Sequence, residues 1–406
     1  MQNLFPNSQW QVITAYLPIG KIESDGVTVT PAVNVSGYSV GSPLVTCYTS
    51  DTSSIEVGDV GYFSATVDPY MRIGLMEVES ISANQSFTVR CPINLSPSTS
   101  AACTFQPMTV GDYAGAGSIS GPDGWSKSGT LKFWRDLSPS VNNAPGATHA
   151  LGVQKGSSST EYLYCSTADG QNGINADDFR KFLGRDFTVR VSSMMKVGTV
   201  GCRPFIQTDA GFTYGPYITS SSHAEAELTV TIPQNSTFIA RGYAFDGAIG
   251  DTFMVCNPMS AFASSLGAGS YQQPVGEWLI PTVKYSPVSY IGATISFPSA
   301  ANSVGDYGFP FNPYAECGAA ISPTVKQLRM QLEGSSSTNG MAIGIRNAEA
   351  PPAIYGVLLY TQNTTHMFTT AGVLTLGRNG KGYTYSNKQS ANFGMCSIDI
   401  NGIRLN

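Results

Sequence analysis

Short runs in which apolar and polar residues alternate recur along the whole chain, and each run predicts a β-strand with one buried face. The clearest runs are FTVRV from Phe187, LTVTI from Leu228 and FMVC from Phe253. They lie in the stretch from Pro122 to Pro258, which also contains two of the four tryptophans. We therefore predict an antiparallel β-sandwich over residues 113–280, around which the rest of the chain is organised.

Similar runs on either side divide the rest of the chain. An Asn- and Pro-containing turn opens an N-terminal attachment segment over residues 1–20. Short strands with closely spaced turns predict a small inserted β-barrel over residues 21–112. Alternation in QLRMQLE from Gln327, together with Asn-Gly turn signals, predicts a β domain over residues 281–406. The predicted fold class is all-β and multi-domain: a small barrel, a β-sandwich and a C-terminal sandwich-like domain.

One segment follows the signals of a helix. Asn175 is a suitable N-cap, acidic residues follow in the first turn, Arg180 and Lys181 lie in the last turn, and Gly184 ends it. This order of charges complements the helix dipole. We expect a helix here that covers one end of the sandwich.

The chain is unusually poor in charge. Charged residues make up 12% of it, against about 25% in a typical domain. A monomer usually carries more charge to resist self-association, so we expect a homo-oligomer. The net charge of −5 comes without a basic cluster, which argues against nucleic acid as a partner. There is no apolar run of about 18 residues and no secretory signal, so we expect synthesis in the cytoplasm without membrane insertion.

Metal and cofactor chemistry finds little support in the sequence. The eight cysteines lie far apart without a C-x-x-C pair, and the three histidines are isolated. Both patterns lack the ligand spacing of zinc or redox sites, so we expect buried free thiols. Phosphate-binding glycine loops are also missing from the sequence. We predict no cofactor and no metal.

Two pairs of acidic residues are candidates for a functional site, one catalytic and one for Ca²⁺. Glu225 and Glu227 are two apart on a predicted strand, so their carboxylates share one face at about 7 Å, a spacing close to that of an inverting glycosidase. The alternation after them places both on the outer face, and we expect a solvated strand and no enzyme. The loop from Asp246 to Asp251 could hold Ca²⁺ through oxygen atoms, but a plain hairpin turn is favoured.

Aromatic residues give the best candidate contacts for a ligand. Asp209, Tyr214 and Tyr217 lie on one glycine-rich loop, and Trp134 stands between basic residues. Sugars stack on flat aromatic faces while neighbouring polar groups bind their hydroxyls. These four residues are therefore candidate ligand contacts. The alternative for each is packing inside the sandwich or at a subunit interface.

The order of five short motifs resembles a known pattern. The motifs are NLFPN followed by Trp10, DGW at residues 123–125, FLGRDFTV from Phe182, LTVTIP from Leu228 and IGDTF from Ile249. The set resembles the carbohydrate-binding-module-like jelly roll of bacteriophage tail fibres and related virion proteins. The resemblance implies a jelly roll over residues 113–280, a homotrimer, a place in the virion and other virion proteins as partners.

Three functions follow as hypotheses. The first is a tail fibre or tail-associated protein that recognises host-surface glycan during attachment. The alternative is a head-decoration, collar or tail-adaptor protein that uses the same sandwich for structure alone. The third is a depolymerase that cuts host capsule. The absence of a convincing acid pair, since Glu225 and Glu227 are expected on a solvated face, and the absence of β-helix repeats argue against it.

Overall fold

The computed structural model of the chain is built almost entirely from antiparallel β-strands, which confirms the predicted all-β class. It describes residues 3–14, 17–21, 28–40, 44–64, 71, 75–90, 101–108, 110–112, 121–136, 142–167, 178–267, 271–272, 278–281, 285–296, 307–314, 321–322, 324–336, 340–347, 356–361, 367–377, 380–387 and 390–405. Within these residues, no helix combines the length and the hydrophobicity needed to cross a lipid bilayer.

The strands are named in chain order. The first half contains β1 (Leu17–Gly20), β2 (Val33–Val35), β3 (Gly37–Val40), β4 (Leu44–Tyr48), β5 (Val60–Ser64), β6 (Met76–Ser82), β7 (Ser86–Arg90), β8 (Cys103–Met108), β9 (Val110–Asp112), β10 (Ser126–Lys127), β11 (Lys132–Asp136), β12 (Ala150–Gln154), β13 (Glu161–Ser166) and β14 (Asp186–Val197). The second half contains β15 (Gly201–Thr208), β16 (Gly211–Tyr214), β17 (Ala224–Thr231), β18 (Ala240–Asp246), β19 (Thr252–Ala261), β20 (Trp278–Leu279), β21 (Tyr285–Ser296), β22 (Tyr307–Phe311), β23 (Gln327–Ser336), β24 (Met341–Asn347), β25 (Val357–Thr361), β26 (Phe368–Thr375), β27 (Gly382–Ser386) and β28 (Ser390–Arg404).

The chain folds into two compact units. The sandwich unit comprises Met1–Val29, Val110–Thr282 and Leu405–Asn406. The flanking unit comprises Thr30–Thr109 and Val283–Arg404, so it unites most of two segments that the sequence assigned to separate domains. The four-part division of the sequence stays a prediction.

The sandwich unit contains two five-stranded antiparallel sheets. The groove sheet has the order β10-β13-β18-β15-β16, and the second sheet has the order β11-β12-β19-β14-β17. From β10 to β19 the chain crosses repeatedly between the sheets, as in a jelly roll. The predicted strands at Phe187, Leu228 and Phe253 all lie in the second sheet. Phe187, Val189 and Phe253 are fully buried, so the core lies between the two sheets.

The flanking unit corrects the predicted barrel. Its first part is a seven-stranded sheet in the order β2-β8-β5-β6-β7-β4-β3. Within the described residues the edge strands β2 and β3 do not pair, so the sheet is open and not a closed barrel. It is nevertheless curved, because Phe87 of β7 and Phe105 of β8 meet with ring centroids 5.1 Å apart although their strands are not neighbours.

The second part of the flanking unit is the predicted C-terminal β region. One sheet contains β28, β23 and β26 as neighbours, with β21 also paired to β28, and another has the order β22-β27-β24-β25. Leu328, Met330 and Leu332 of β23 are fully buried. The inward-facing alternation predicted for this strand is therefore confirmed.

The predicted helix is only a short 3₁₀ helix, Asp178–Phe182. Asn175, the proposed N-cap, lies outside the described residues. Gly184 has a φ of +69°, as expected after a helix end, and its N–H donates to the carbonyl of Ile232 at 2.8 Å. Because Gly184 bonds Ile232, just beyond β17, and β14 already begins at Asp186, the helix cannot continue past Phe182.

The N-terminal segment of the sandwich unit, residues 3–14, forms a buried plug. Phe5 and Trp10 are completely buried in the main core. The Trp10 indole N–H donates to the carbonyl of Val255 at 3.0 Å, and Arg135 donates to the Trp10 carbonyl at 2.8 Å. Trp10 has a φ of +54°, a strained value for a bulky residue that persists only where the surroundings fix it. The plug is therefore an integral part of the core.

We expect the free energy of unfolding to fall as the pH drops below about 6.5. Burial, aided by the positive Arg135, holds the pKa of His149 well below its usual value of 6.5. Below about pH 6.5 the imidazole of His149 binds a proton in the unfolded chain but not in the folded chain. The free energy of unfolding therefore rises with pH and decreases in acid. Burial lowers the pKa of His223 in the same direction.

Urea unfolding at pH 7.5, 6.5 and 5.5 measures this slope, which is at most about 1.4 kcal/mol per pH unit for each proton. The variant His149→Gln should show a shallower slope. An unchanged slope in this variant would contradict the assignment. Hydrogen bonds from Ser53 lower the pKa of Asp51 from its usual 3.8. The contribution of this carboxylate to stability is therefore lost only below about pH 3.8, outside the pH range of this experiment.

Candidate functional site

The outer face of the groove sheet has a floor of small residues along its central strand. Tyr243 and Phe245 of β18 are fully buried in the core between the sheets. Successive side chains of a strand point to opposite faces, so Ala240, Gly242 and Ala244 face outward. These three residues place at most a methyl group above the sheet, and β18 therefore leaves a depression.

Larger residues on the neighbouring strands stand on both sides of this floor. In register, Gly242 lies between Tyr164 of β13 and Phe205 of β15. Gly242 has a φ of +155°, and a Cβ on it would come within 2.2 Å of the Leu163 carbonyl oxygen, so the backbone requires glycine here. The same glycine keeps the floor of the groove free of a side chain.

The resulting groove has a volume of about 500 Å³, within the usual range for small-molecule sites. Five of its nine lining residues are aromatic, three are polar and none is charged. The lining residues are Ser128, Tyr162, Tyr164, Ser166, Phe205, Gln207, Phe212, Phe238 and Ala240. Such a lining combines flat apolar faces with hydroxyl and amide groups.

Phe212 is the most accessible of the aromatic rings that line the groove, with 43% of its surface exposed. It stacks on Tyr162 at a centroid distance of 5.1 Å and on Tyr214 at 5.8 Å. Tyr162 and Tyr214 share a hydrogen bond of 2.7 Å between their hydroxyls. Phe205 is buried beneath these rings and touches both Tyr162 and Phe212. The aromatic surface is therefore held in place before any ligand arrives.

A cluster of side chains centred on Arg203 adjoins the groove where Tyr162 and Tyr214 meet. The Arg203 guanidinium carbon lies 3.9 Å from the ring centroid of Tyr214 and 4.5 Å from that of Tyr217. Its Nε lies 3.0 Å from Oδ2 of Asp246. The same oxygen accepts a hydrogen bond of 3.0 Å from the Tyr217 hydroxyl, and Oδ1 accepts one of 2.6 Å from Thr160. Burial and the bond to Asp246 raise the pKa of Tyr217.

Of the four candidate ligand contacts, the structure brings Tyr214 and Tyr217 together through Arg203. Asp209 is exposed and lies apart from this cluster, since its carboxylate accepts hydrogen bonds from the Thr237 backbone and hydroxyl at 2.5 and 2.7 Å. These bonds lower the pKa of Asp209. It is not among the groove-lining residues.

Trp134 lies in a separate place. It is 6% exposed and packs in a small cluster with Met194, Met254 and Cys256. A Cβ on Gly152 would fall 1.9 Å from its indole, so the ring is pressed against β12. Burial favours the packing alternative, because a buried ring offers no face on which a sugar could stack.

The acidic pairs take structural roles. Glu225 lies 3.8 Å from Arg190, and Glu227 accepts a hydrogen bond of 3.1 Å from the Leu266 backbone. Asp251 closes its own turn by accepting from the Ala248 N–H at 3.0 Å. The hairpin turn expected there is what the structure has. Within the described residues, no group of three or more His, Cys, Asp or Glu is arranged to hold a metal ion.

The cysteines of the described residues are buried and form no disulfide, as expected. Burial raises the pKa of Cys202 and of Cys256 to about 12. Cys256 lies 3.8 Å from Nε2 of His223, but that nitrogen already bonds the Asn142 carbonyl at 2.7 Å. A thiol that stays protonated beside an engaged imidazole is not an activated nucleophile. His366 lies outside the described residues.

Most groove residues were missed in the sequence. Two signals were present: the alternation of Tyr162 and Tyr164 with core residues, and the alternation of small residues at Ala240, Gly242 and Ala244. Neither signal predicts a groove alone, because only the pairing of β13, β18 and β15 places them side by side.

Comparisons with known proteins give no family. No protein-family model matches the chain, and no curated protein matches it significantly. Among solved structures, the C-terminal family 22 carbohydrate-binding module of Clostridium thermocellum Xyn10B aligns over 38% of this chain and 96% of that one, with 14% identity and a TM-score of 0.28. TmCBM61 in complex with β-1,4-galactotriose aligns over 34% of this chain and 88% of that one, with 14% identity and a TM-score of 0.25. Tailspike protein 4 of bacteriophage CBA120 aligns over 37% of this chain and 21% of that one, with 12% identity and a TM-score of 0.25. TM-scores this low do not establish a shared fold or a shared function.

Proposed function

We propose that the sandwich unit binds a glycan in the groove of its outer face. The observation that carries this proposal is an uncharged, open groove with rigid aromatic walls and a floor of small residues. A pyranose ring presents C–H bonds on its faces and hydroxyls around its edge. The aromatic rings suit the faces, and Ser128, Ser166 and Gln207 can exchange hydrogen bonds with the hydroxyls.

We expect Phe212→Ala to weaken glycan binding by at least about tenfold in Kd, which corresponds to 1.4 kcal/mol. The ring is exposed, so its removal deletes a stacking surface with little effect on the core. Binding of the full chain to a panel of neutral and acidic oligosaccharides, followed by titration calorimetry with the tightest member, measures the loss.

Tyr360→Ala is the matched control, because Tyr360 is 50% exposed but lies on β25 of the flanking unit. This variant should bind like the original chain. Equal losses in both variants would show that the effect is unspecific. Binding that survives Phe212→Ala unchanged would place the ligand away from the groove.

The proposed biological setting is a bacteriophage virion, with the chain as a tail fibre or tail-associated protein that attaches to host-surface glycan. The order of the sequence motifs and the 12% charged residues support this setting. The chain is proposed to act as a homo-oligomer, a trimer by the resemblance, and by binding without catalysis. Purified protein should then compete with phage particles for host cells, and the Phe212→Ala variant should compete less well.

Immunogold labelling of particles separates this proposal from its structural alternative. Label at the tail tip agrees with attachment. Label spread over the head or at the collar, together with no competition for host cells, would favour a decoration or adaptor protein. Release of oligosaccharides from host capsule by the purified chain would instead reveal a depolymerase.

A further inference from the structure

We propose that the ion pair of Arg203 and Asp246 sets the charge selectivity of the groove, so that it takes neutral glycans and rejects those with a carboxylate. This inference rests on the proposed glycan binding. Neither residue lines the groove, but Arg203 packs on Tyr214, whose hydroxyl bonds that of the lining residue Tyr162.

Arg203 is close enough to the groove to recognise an acidic sugar. It follows Tyr162 and Ala244 in one row of paired residues across β13, β18 and β15. Two strand spacings of about 4.8 Å separate Tyr162 from Arg203, a gap that a guanidinium on its long stem can bridge. Its stacking on Tyr214, whose hydroxyl bonds Tyr162, fixes it next to the aromatic wall.

Asp246 already pairs with the guanidinium to which a sugar carboxylate would bind. Its Oδ2 lies 3.0 Å from Nε of Arg203, and both its oxygens accept further hydrogen bonds, from Tyr217 and from Thr160. The side chains of Arg203 and Asp246 are only 20% and 15% exposed. Charges in such a setting are screened less than on an open surface. An arriving carboxylate would therefore meet the repulsion of Asp246 together with the attraction of Arg203.

The groove itself offers no cation that would offset the repulsion between Asp246 and a ligand carboxylate. None of its nine lining residues carries a charge, so a carboxylate entering it would lose water without gaining a cation. A neutral pyranose loses no charge solvation on entry. The groove therefore favours neutral sugars over uronates, and Asp246 is a specificity-determining residue that acts by neutralising Arg203.

The test uses a panel of neutral oligosaccharides and the same oligosaccharides oxidised at C6 to uronates. The original chain should bind its best neutral oligosaccharide at least about fivefold more tightly than the uronate form. Asp246→Asn removes the negative charge at nearly constant shape and leaves Arg203 free to pair with the ligand. This variant should gain about tenfold in affinity for the uronate. Adding Arg203→Gln should abolish that gain.

Asp186→Asn is the charge-matched control. Asp186 is exposed on β14 of the second sheet, where it accepts a hydrogen bond from Thr231, so its loss changes the net charge without freeing Arg203. The Asp186→Asn variant should show no increase in affinity for the uronate. Circular dichroism checks the fold of every variant, and if Asp246→Asn does not fold, the comparison of neutral and oxidised ligands on the original chain decides alone.

The outcomes separate the two levels of the proposal. Uronates that bind the original chain as tightly as the neutral forms, or a folded Asp246→Asn without any gain, would overturn the selectivity while leaving glycan binding intact. No binding of any neutral or oxidised oligosaccharide, by the original chain or the variants, would overturn the glycan-binding function itself.

Discussion

Trp10→Ala should destabilise the sandwich unit by about 3–5 kcal/mol, a loss comparable to the whole stability of many domains. Trp10 is completely buried and meets Trp125 at a centroid distance of 5.1 Å. Alanine would leave a large cavity there. It would also leave the carbonyl of Val255 without the indole donor. Urea unfolding followed by far-ultraviolet circular dichroism measures the change in the free energy of unfolding.

Two further variants serve as controls for the Trp10 experiment. Trp10→Gly should cost slightly less than Trp10→Ala, because glycine relieves the strain of a φ of +54° while leaving the same cavity. Val57→Ala in the flanking unit should cost nearly nothing, since Val57 is 64% exposed. A loss below about 1 kcal/mol for Trp10→Ala would mean that the N-terminal plug is dispensable for the core.

Glu161→Gln should cost about 3–5 kcal/mol, because it strands a buried positive charge. Glu161 is 1% exposed and lies 3.7 Å from the ammonium of Lys155, which is completely buried. Its two oxygens also accept backbone hydrogen bonds from Thr130 at 2.7 Å and from Gly156 at 3.0 Å. The carboxylate thus joins two loops that connect the groove sheet with the second sheet, and it balances one charge. Burial holds the pKa of Lys155 below its usual value, which shows how poorly this ammonium is solvated.

A double-mutant cycle tests this account. The Lys155 ammonium donates to the carbonyls of Ser159 and Phe245 at 2.7 and 2.9 Å, so Lys155→Met alone is also destabilising. In combination, Glu161→Gln and Lys155→Met should cost clearly less than the sum of the single changes, since the double variant leaves no unpaired charge whereas each single variant leaves one. Strict additivity would contradict the role of the ion pair.

The fold class could be predicted because it depends on local alternation. The runs at Phe187, Leu228 and Leu328 read the same way in the sequence and in the sheets. The helix at Asp178 was overestimated, because charge order and capping signals do not reveal that a neighbouring strand begins at Asp186. The barrel over residues 21–112 was wrong for a related reason, since alternation does not show whether the two edge strands of a sheet pair, and in the described residues β2 and β3 do not.

The candidate site was harder to predict because it depends on contacts between distant segments. Tyr214 and Tyr217 were identified by their own loop, but the residues that anchor them, Arg203 and Asp246, lie on other strands. Trp134 was selected for its basic neighbours in sequence, and the fold instead buries its ring. Residue type alone could not distinguish a ring that lines a groove from a ring that fills a core.

A structure of the full chain with the tightest oligosaccharide of the panel would show directly whether the groove is the glycan site. We predict a sugar ring against Phe212 or Tyr164, above the floor formed by Gly242, with hydroxyls bonded to Gln207 or Ser166. A sugar bound on the second sheet or on the flanking unit, with the groove unoccupied, would contradict it.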